Sequence, residues 1–415
     1  MISQFIFENY KAFKNESILD FSAEKIDEYE NSLITDESGR EEAVPVIAIY
    51  GPNGGGKSTV LEALNFLRDT VLRTILFIKL QDAEDKYESL MRKLSSVASK
   101  EIYYKLSREY RELPTKFDII FHTKGKKFRY QLSMIQNKIV KENLYLQEVG
   151  TNDVTLIFER SEDECILGEE IEDIAVERVN NTMPLLSHIA INYDIETIDT
   201  VVEWFFSIEM LNYDNPRSER KLLLPKAENK RNMFFAMLEE MDIPIKDIRL
   251  EKDLDGNIEN VYTKHRMENG EMCEMRLEEE SSGTRKLLSC LARISECLER
   301  GHLLIADELD AKLHPKLLRY MIGLFTNPLS NQNGAQLLLT SHDITTMNHD
   351  VFRRDEIWFC AKNPVGASKL YSLASFRKEN GTRIRNDEAY GKRYIEGRYG
   401  ADPYIQRIIN WEDNE

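Results

Sequence analysis

The chain has 415 residues, 42% of them hydrophobic and 31% charged, and 55 Lys plus Arg against 72 Asp plus Glu give a formal net charge of −17. The length allows two or three average domains or one large α/β unit with insertions. Such acidity repels polyanions on average, so nucleic acid could be held only at a local basic patch, and the lack of any run of about 18 apolar residues excludes a membrane-spanning segment.

The N-terminus lacks a charged leader region and a cleavage site. The five cysteines (Cys165, Cys273, Cys290, Cys297, Cys360) have no metal-ligand spacing, and a cytoplasmic location is expected. Ile2 to Phe7 and Ser17 to Phe21 alternate polar and apolar residues, as a β-hairpin or paired edge strands do. An acidic loop, Asp36 to Glu42, then leads into the apolar run Val44 to Tyr50. Directly after it comes Gly51-Pro-Asn-Gly-Gly-Gly-Lys-Ser-Thr59, followed by a helical pattern with Val60, Leu61, Leu64 and Leu67 on one face.

Strand, Gly-rich loop and helix in this order are what a phosphate-binding P-loop needs. Backbone N–H groups at Asn53, Gly54 and Gly56, and the start of the helix at Thr59, would face phosphate oxygens. Lys57 would reach the β- and γ-phosphates of ATP, and the Ser58 hydroxyl would ligate Mg²⁺.

Residues 69–112 are charge-rich and read as a helical insertion, one long helix or a helical pair. From Phe117 the period changes to two, and Phe117 to His122, Lys126 to Met134 and Ile139 to Leu146 read as an antiparallel meander. Residues 161–245 read as an acidic surface loop followed by helices, the apolar parts being Val201 to Phe206 and Met233 to Leu238. Strands return at Ile248 to Glu251, Val261 to Thr263 and Met272 to Leu277, with Asp255-Gly256 and Asn269-Gly270 as turns.

Glu280-Ser-Ser-Gly-Thr-Arg-Lys286 leads into an apolar helix, so its Ser and Gly sit at a helix N-terminus suited to phosphate, or serve as an ordinary N-cap. His302-Leu-Leu-Ile-Ala-Asp-Glu308 is an apolar strand that ends in two acids. Asp307 is expected to take Mg²⁺, and Glu308 to be the general base for the attacking water. A further strand, Ala335 to Thr340, ends in Ser341-His342-Asp343, where His342 could bond a γ-phosphate and sense its loss.

The series GPNGGGKS, ESSGT, LLIADELD and TSH resembles the ABC-type ATPases of the SMC, Rad-fifty, RecF and OLD lineage. ENYKAF, LDAKLHP, NGAQLLLTSHD, RRDEIWFCAK and YIEGRYGADP narrow the likeness to OLD-like AAA ATPases of bacterial defence loci, of the RloA, AbiLi, PtuA and AriA kind. The resemblance implies a single ABC-type head over 1–415, of α/β class: a mixed sheet with helices, an antiparallel β subdomain and helical insertions. It implies two heads sandwiching ATP and Mg²⁺, with Ser282 and Gly283 acting in trans, Asp310 at the dimer seam and Lys11 near the phosphates. The glutamine that joins Mg²⁺ to water stays open among Gln81, Gln131, Gln136 and Gln147.

OLD nucleases carry a Toprim domain after the ATPase, and the roughly forty residues after Phe376 are too few for one. The tail, a C-terminal extension over 376–415, interleaves Arg and Lys with Tyr390, Tyr394, Tyr399 and Tyr404, as a packed helix or a nucleic-acid contact would. The function implied is an ATPase that forms a homodimer or higher homo-oligomer and controls a separately encoded effector, a nuclease or toxin, in anti-phage defence. The alternatives are a RecF-like clamp on DNA and an ATP-gated nuclease using acids such as Glu164 to Glu172.

Overall fold

A computed structural model describes residues 1–79, 101–148, 150–151, 153–176, 179–211, 223, 228–253, 258–377 and 388–401. Two strands open the chain, β1 (Ile2–Glu8) and β2 (Ser17–Asp20). A short ribbon follows, β3 (Ile34–Thr35) with β4 (Glu42–Ala43), and then the fully buried β5 (Val46–Tyr50). Helix α1 (Lys57–Lys79) leads to the meander β6 (Thr115–Thr123), β7 (Lys126–Ile135), β8 (Lys138–Glu148), β9 (Val154–Ser161) and β10 (Cys165–Leu167). These strands form an antiparallel sheet in the order β10-β9-β8-β7-β6-β1-β2. The period-two alternation puts one face of it in the core, with Phe5, Phe7, Phe117, Ile119, Phe121, Phe128 and Tyr130 all buried.

The second sheet carries the P-loop. Helices α2 (Leu185–Asn192) and α3 (Glu196–Phe206) precede its edge strand β11 (Ile208–Met210). Helix α4 (Glu228–Glu240) and the small sheet β12 (Ile245–Lys252), β13 (Ile258–Arg266), β14 (Met272–Arg276) lead to α5 (Ser282–Arg300). Then come β15 (Leu303–Ala306), α6 (Pro315–Thr326), β16 (Gln336–Thr340), the hairpin β17 (Ile357–Lys362) and β18 (Ser368–Ser372), and α7 (Tyr390–Ile395).

The sheet order is β11-β15-β16-β5-β17-β18, parallel throughout except for β18. Its central strands β5, β15 and β16 are buried on both faces, as the middle of a sheet covered on both sides must be. Ile47, Ile49, Ile305 and Leu338 join a core with α1, α2, α3 and the antiparallel sheet. Val46, Ala48, Leu304, Leu337 and Leu339 join a second core with α5 and α6. The expected α/β head with an antiparallel β subdomain is therefore the fold observed.

Several local expectations are corrected. The 69–112 segment is helical to Lys79, whereas 101–112 carries a single 3₁₀ turn, Arg108–Arg111. Ile102 and Tyr104 are buried at period two, and the stretch is tied to the loop after β1: Lys11 N–H donates to the Ile102 carbonyl at 2.6 Å, and Tyr104 N–H to Asn9 Oδ1 at 2.9 Å. The acidic stretch after 161 is not all loop, because Cys165–Leu167 extends the meander by pairing with β9. The helices of 161–245 pack against the P-loop side of the fold: Ser187 Oγ donates to the Val71 carbonyl of α1 at 2.6 Å, and β11 pairs with β15. The Asn269-Gly270 turn stands between β13 and β14, while Asp255-Gly256, Gln81 and Tyr404 lie outside the described residues. In the C-terminal extension Tyr390 and Tyr399 are buried and Tyr394 stacks on Phe359, so these rings serve packing.

One buried carboxylate joins the meander to the helices that cover it. Glu142, fully buried on β8, accepts from Leu185 N–H at 2.6 Å, Leu186 N–H at 3.0 Å and the Tyr130 hydroxyl at 2.9 Å, and Arg160 lies 3.6 Å away. Burial pushes its carboxyl above the usual range, against the pull of those two N–H groups and Arg160. Glu142→Ala would leave Arg160 and the α2 N-terminus without this partner, and is expected to cost about 3–5 kcal/mol. Denaturant unfolding of the variant checks this; a loss below about 1 kcal/mol, the worth of an ordinary neutral bond, would mean that α2 does not depend on the carboxylate.

Candidate nucleotide site

The P-loop leaves β5 with its backbone pressed onto β17. A Cβ on Gly51, at φ +148°, would lie 2.2 Å from the Cys360 carbonyl oxygen, so no other residue fits there. Gly56, at φ +111°, is hemmed in by Ser368 and Phe13. Lys57 is buried at the first position of α1, and its ammonium donates to the carbonyls of Gly51 at 2.9 Å and Pro52 at 3.3 Å. Burial lowers its pKa, and the nearby Asp307, Glu308 and Asp310 oppose that shift. Asn53 and Gly54 are exposed at the loop's tip, and Thr59 is half-buried one residue beyond Ser58.

Adjacent strands bring the acids to the loop. The Ser58 hydroxyl donates to Asp307 Oδ1 at 3.1 Å, and the Thr340 hydroxyl donates to the same oxygen at 2.5 Å. Thr340 Oγ1 in turn accepts from Glu308 N–H at 2.7 Å, and the Leu309 N–H donates to the Thr340 carbonyl at 3.2 Å. These bonds hold Glu308 in the left-handed region, φ +47°, which a non-glycine residue keeps only when its surroundings fix it. Its side chain is exposed, as is that of His342. His342 N–H donates to Asp310 Oδ2 at 3.2 Å, while Asp310 Oδ1 is buried without a hydrogen-bond partner among the described residues.

The Glu280–Lys286 stretch is held by β13 and by the loop after β15. Glu280 is gripped by Thr263 at 2.5 Å and His265 at 2.6 Å, both on β13. Ser281 is the N-cap of α5, accepting from Thr284 N–H at 3.0 Å, which leaves Ser282 exposed at the helix start. A Cβ on Gly283 would meet the Lys312 carbonyl at 3.4 Å, and Lys286 donates to the carbonyls of Glu308, at 3.2 Å, and Ala311. Gly283 thus lies with the loop after Glu308, and no hydrogen bond or ion pair among the described residues joins Ser282 or Gly283 to residues 51–59.

Lys11 also stands apart from the loop's polar groups: its ammonium pairs with Glu62 on α1 at 2.6 Å. Of the open glutamines, Gln131 bonds Asp118 and Asn143, Gln147 bonds the Thr151 carbonyl, and Gln136 forms the positive-φ turn after β7. Two contributors carried no expected role. Thr340, which ends β16, joins Asp307 to Glu308; Ser368, on β18, donates to the Gly55 carbonyl at 2.7 Å. A polar residue at the end of an otherwise apolar buried strand was the available signal for Thr340.

Residues 46–348 match the family model described as AAA domain, putative AbiEii toxin, Type IV TA system. The chain belongs to this AAA-domain family. It is an ATP-binding AAA-type domain. Comparison with curated proteins finds no match. Among solved structures, the chain is similar to an SmcHead bound to the C-winged helix domain of ScpA (15% identity, 89% of this chain and 97% of that one, TM-score 0.44). It is also similar to an Smc head domain with an extended coiled coil bound to the C-terminal domain of ScpA from Pyrococcus furiosus (12%, 89% and 96%, 0.43). A third is a dimeric post-hydrolysis ATP-binding cassette bound to ADP and Pi (11%, 90% and 100%, 0.31). These likenesses are too distant to carry residue roles. Among the described residues no helix is long and apolar enough to cross a membrane.

Thr340→Val removes the hydroxyl between the two acids and keeps the shape. It is expected to lower ATP turnover about 10–100-fold, as loss of an outer-shell partner does. Phosphate release by the folded variant at saturating ATP is the measurement; turnover within twofold of the parent would show that the Thr340 bridge is dispensable.

Proposed function

We propose that this chain binds and hydrolyses ATP between two copies of itself, and that this assembly regulates a separate effector, a nuclease or toxin, in anti-phage defence. In this reading the N–H groups of Asn53, Gly54, Gly56 and Thr59 and the Lys57 ammonium hold the phosphates. The Ser58 hydroxyl and Asp307 carboxylate, 3.1 Å apart, are hard oxygen donors suited to Mg²⁺, and would hold it. When bound, Mg²⁺ would neutralise charge on the β- and γ-oxygens. Glu308 takes a proton from the attacking water, and His342 bonds the γ-phosphate. Lys11 joins the phosphates only by leaving Glu62.

The assembly is supported by the start of α5, where Ser282 is exposed and no hydrogen bond or ion pair among the described residues joins Ser282 or Gly283 to residues 51–59. An exposed serine at a helix N-terminus, with free N–H groups and a positive dipole end, suits an anion. In this reading the anion is the γ-phosphate held by a second copy, and Asp310 then lies at the seam. ATP binding to the assembled form alone drives assembly by mass action, and hydrolysis releases it. The family's description names a putative toxin within a toxin–antitoxin system, a two-component arrangement that leaves room for a second, separately encoded protein.

Solution mass with and without Mg²⁺ and ATP tests the reading. Glu308→Gln should keep ATP binding, lose at least about 100-fold in turnover through loss of the base, and shift to a larger mass with ATP; Lys57→Ala should show neither binding nor shift. A mass that ATP leaves unchanged in both the parent and Glu308→Gln would remove nucleotide as the driver of assembly.

A further inference from the structure

The hairpin β17–β18 touches the P-loop at three points. The Cys360 carbonyl lies against Gly51 and Gly55, where added Cβ atoms would come within 2.2 and 3.1 Å of its oxygen. Ser368 Oγ donates to the Gly55 carbonyl at 2.7 Å. Opposite Ser368 in the hairpin register stands Lys362, whose ammonium lies 3.8 Å from the place a Cβ on Gly54 would take. This placement is forced by topology: β17 runs parallel to β5 with Phe359 beside Tyr50, so it continues past the point where β5 becomes the loop.

Lys362 is exposed, and its ammonium has no hydrogen bond or ion pair among the described residues, in a chain with 72 acids to 55 bases. It lines a cavity of about 550 Å³ with Gly51, Asn53, His342 and Tyr394. Lys57, from the start of α1, and Lys362, from the end of β17, therefore bring two ammonium groups to one glycine-rich loop. Two cations beside outward-pointing N–H groups form a field that a polyanion satisfies. Because Lys362 shares its cavity with Asn53 and His342, it lies on the side assigned above to the terminal phosphate.

We propose that Lys362 is a further phosphate-contacting residue, which recognises the terminal phosphate of a bound nucleoside triphosphate and so distinguishes it from the diphosphate. The proposal rests on the ATP reading given above. Lys362 reaches the ligand as a mobile point charge on a four-carbon stem, anchored by a hairpin that already grips the loop. Charge-assisted bonds of this kind are worth a factor of about ten in affinity or more.

The test is direct binding of ATP and of ADP, each with Mg²⁺, to the full chain and its variants. Lys362→Ala should weaken ATP about tenfold and leave ADP within twofold, and Lys362→Arg should restore most of the ATP affinity. If the alanine variant melts early, Lys362→Met keeps the apolar stem and serves the same comparison. Unchanged ATP affinity, or equal losses for ATP and ADP in a folded variant, would overturn the assignment. Failure of the parent to bind ATP, or full binding by Lys57→Ala, would instead overturn the nucleotide reading and this one with it.

Discussion

The contact on which the site depends is the close approach of the P-loop to β17. At Gly51 the two backbones are so near that the Cys360 carbonyl leaves no room for a Cβ. The parallel pairing of β5 with β17 and β16 carries the loop out of the sheet at a fixed height, and the β17–β18 hairpin then holds it from the side through Ser368. Burial of both faces of β5 against two separate cores makes that height hard to alter, because a one-residue slip would exchange the two sets of side chains.

From this fixed loop the remaining chemistry follows by strand order. With β16 between β5 and β15, a hydroxyl at the end of β16 can reach the acids at the end of β15, and Thr340 does so. Asp307 is thereby aimed at Ser58, while Glu308 is turned the other way by its left-handed backbone and projects into solvent. Two adjacent carboxylates thus have different surroundings, one half-buried in hydrogen bonds and one exposed, as the proposed metal-holding and base roles would require.

Much of this was legible before any coordinates. The run from β5 through the glycines to α1 signals itself by composition, and the meander and the β12–β14 sheet by their period of two. What escaped was non-local. The 101–112 segment has the charged composition of a helix, but its backbone is claimed by Asn9 and Lys11 some ninety residues earlier, so tertiary hydrogen bonds override propensity there. The three residues of β11 are too few to signal a strand and exist through pairing with β15. Lys11, placed near the phosphates by the family resemblance, pairs its ammonium with Glu62 on α1, a contact between residues some fifty apart. Thr340 and Ser368 could not be assigned from sequence because each acts across strands separated by many residues.

The links around Lys286 join the start of α5 to the acids. Its bonds to the carbonyls of Glu308 and Ala311, with Gly283 packed on Lys312, make the start of α5 and the loop after the acids one body. Burial lowers the pKa of this lysine, while Asp310 and Glu308 favour its charged form. Movement of Ser282 is thereby coupled to the backbone that carries Glu308. In the proposed assembly the phosphate that Ser282 engages is the one a second copy holds. The same linkage means that a load on Ser282 from a second copy is felt at the backbone of Glu308. In the proposed assembly, each copy's base is therefore positioned in part by the nucleotide its neighbour holds.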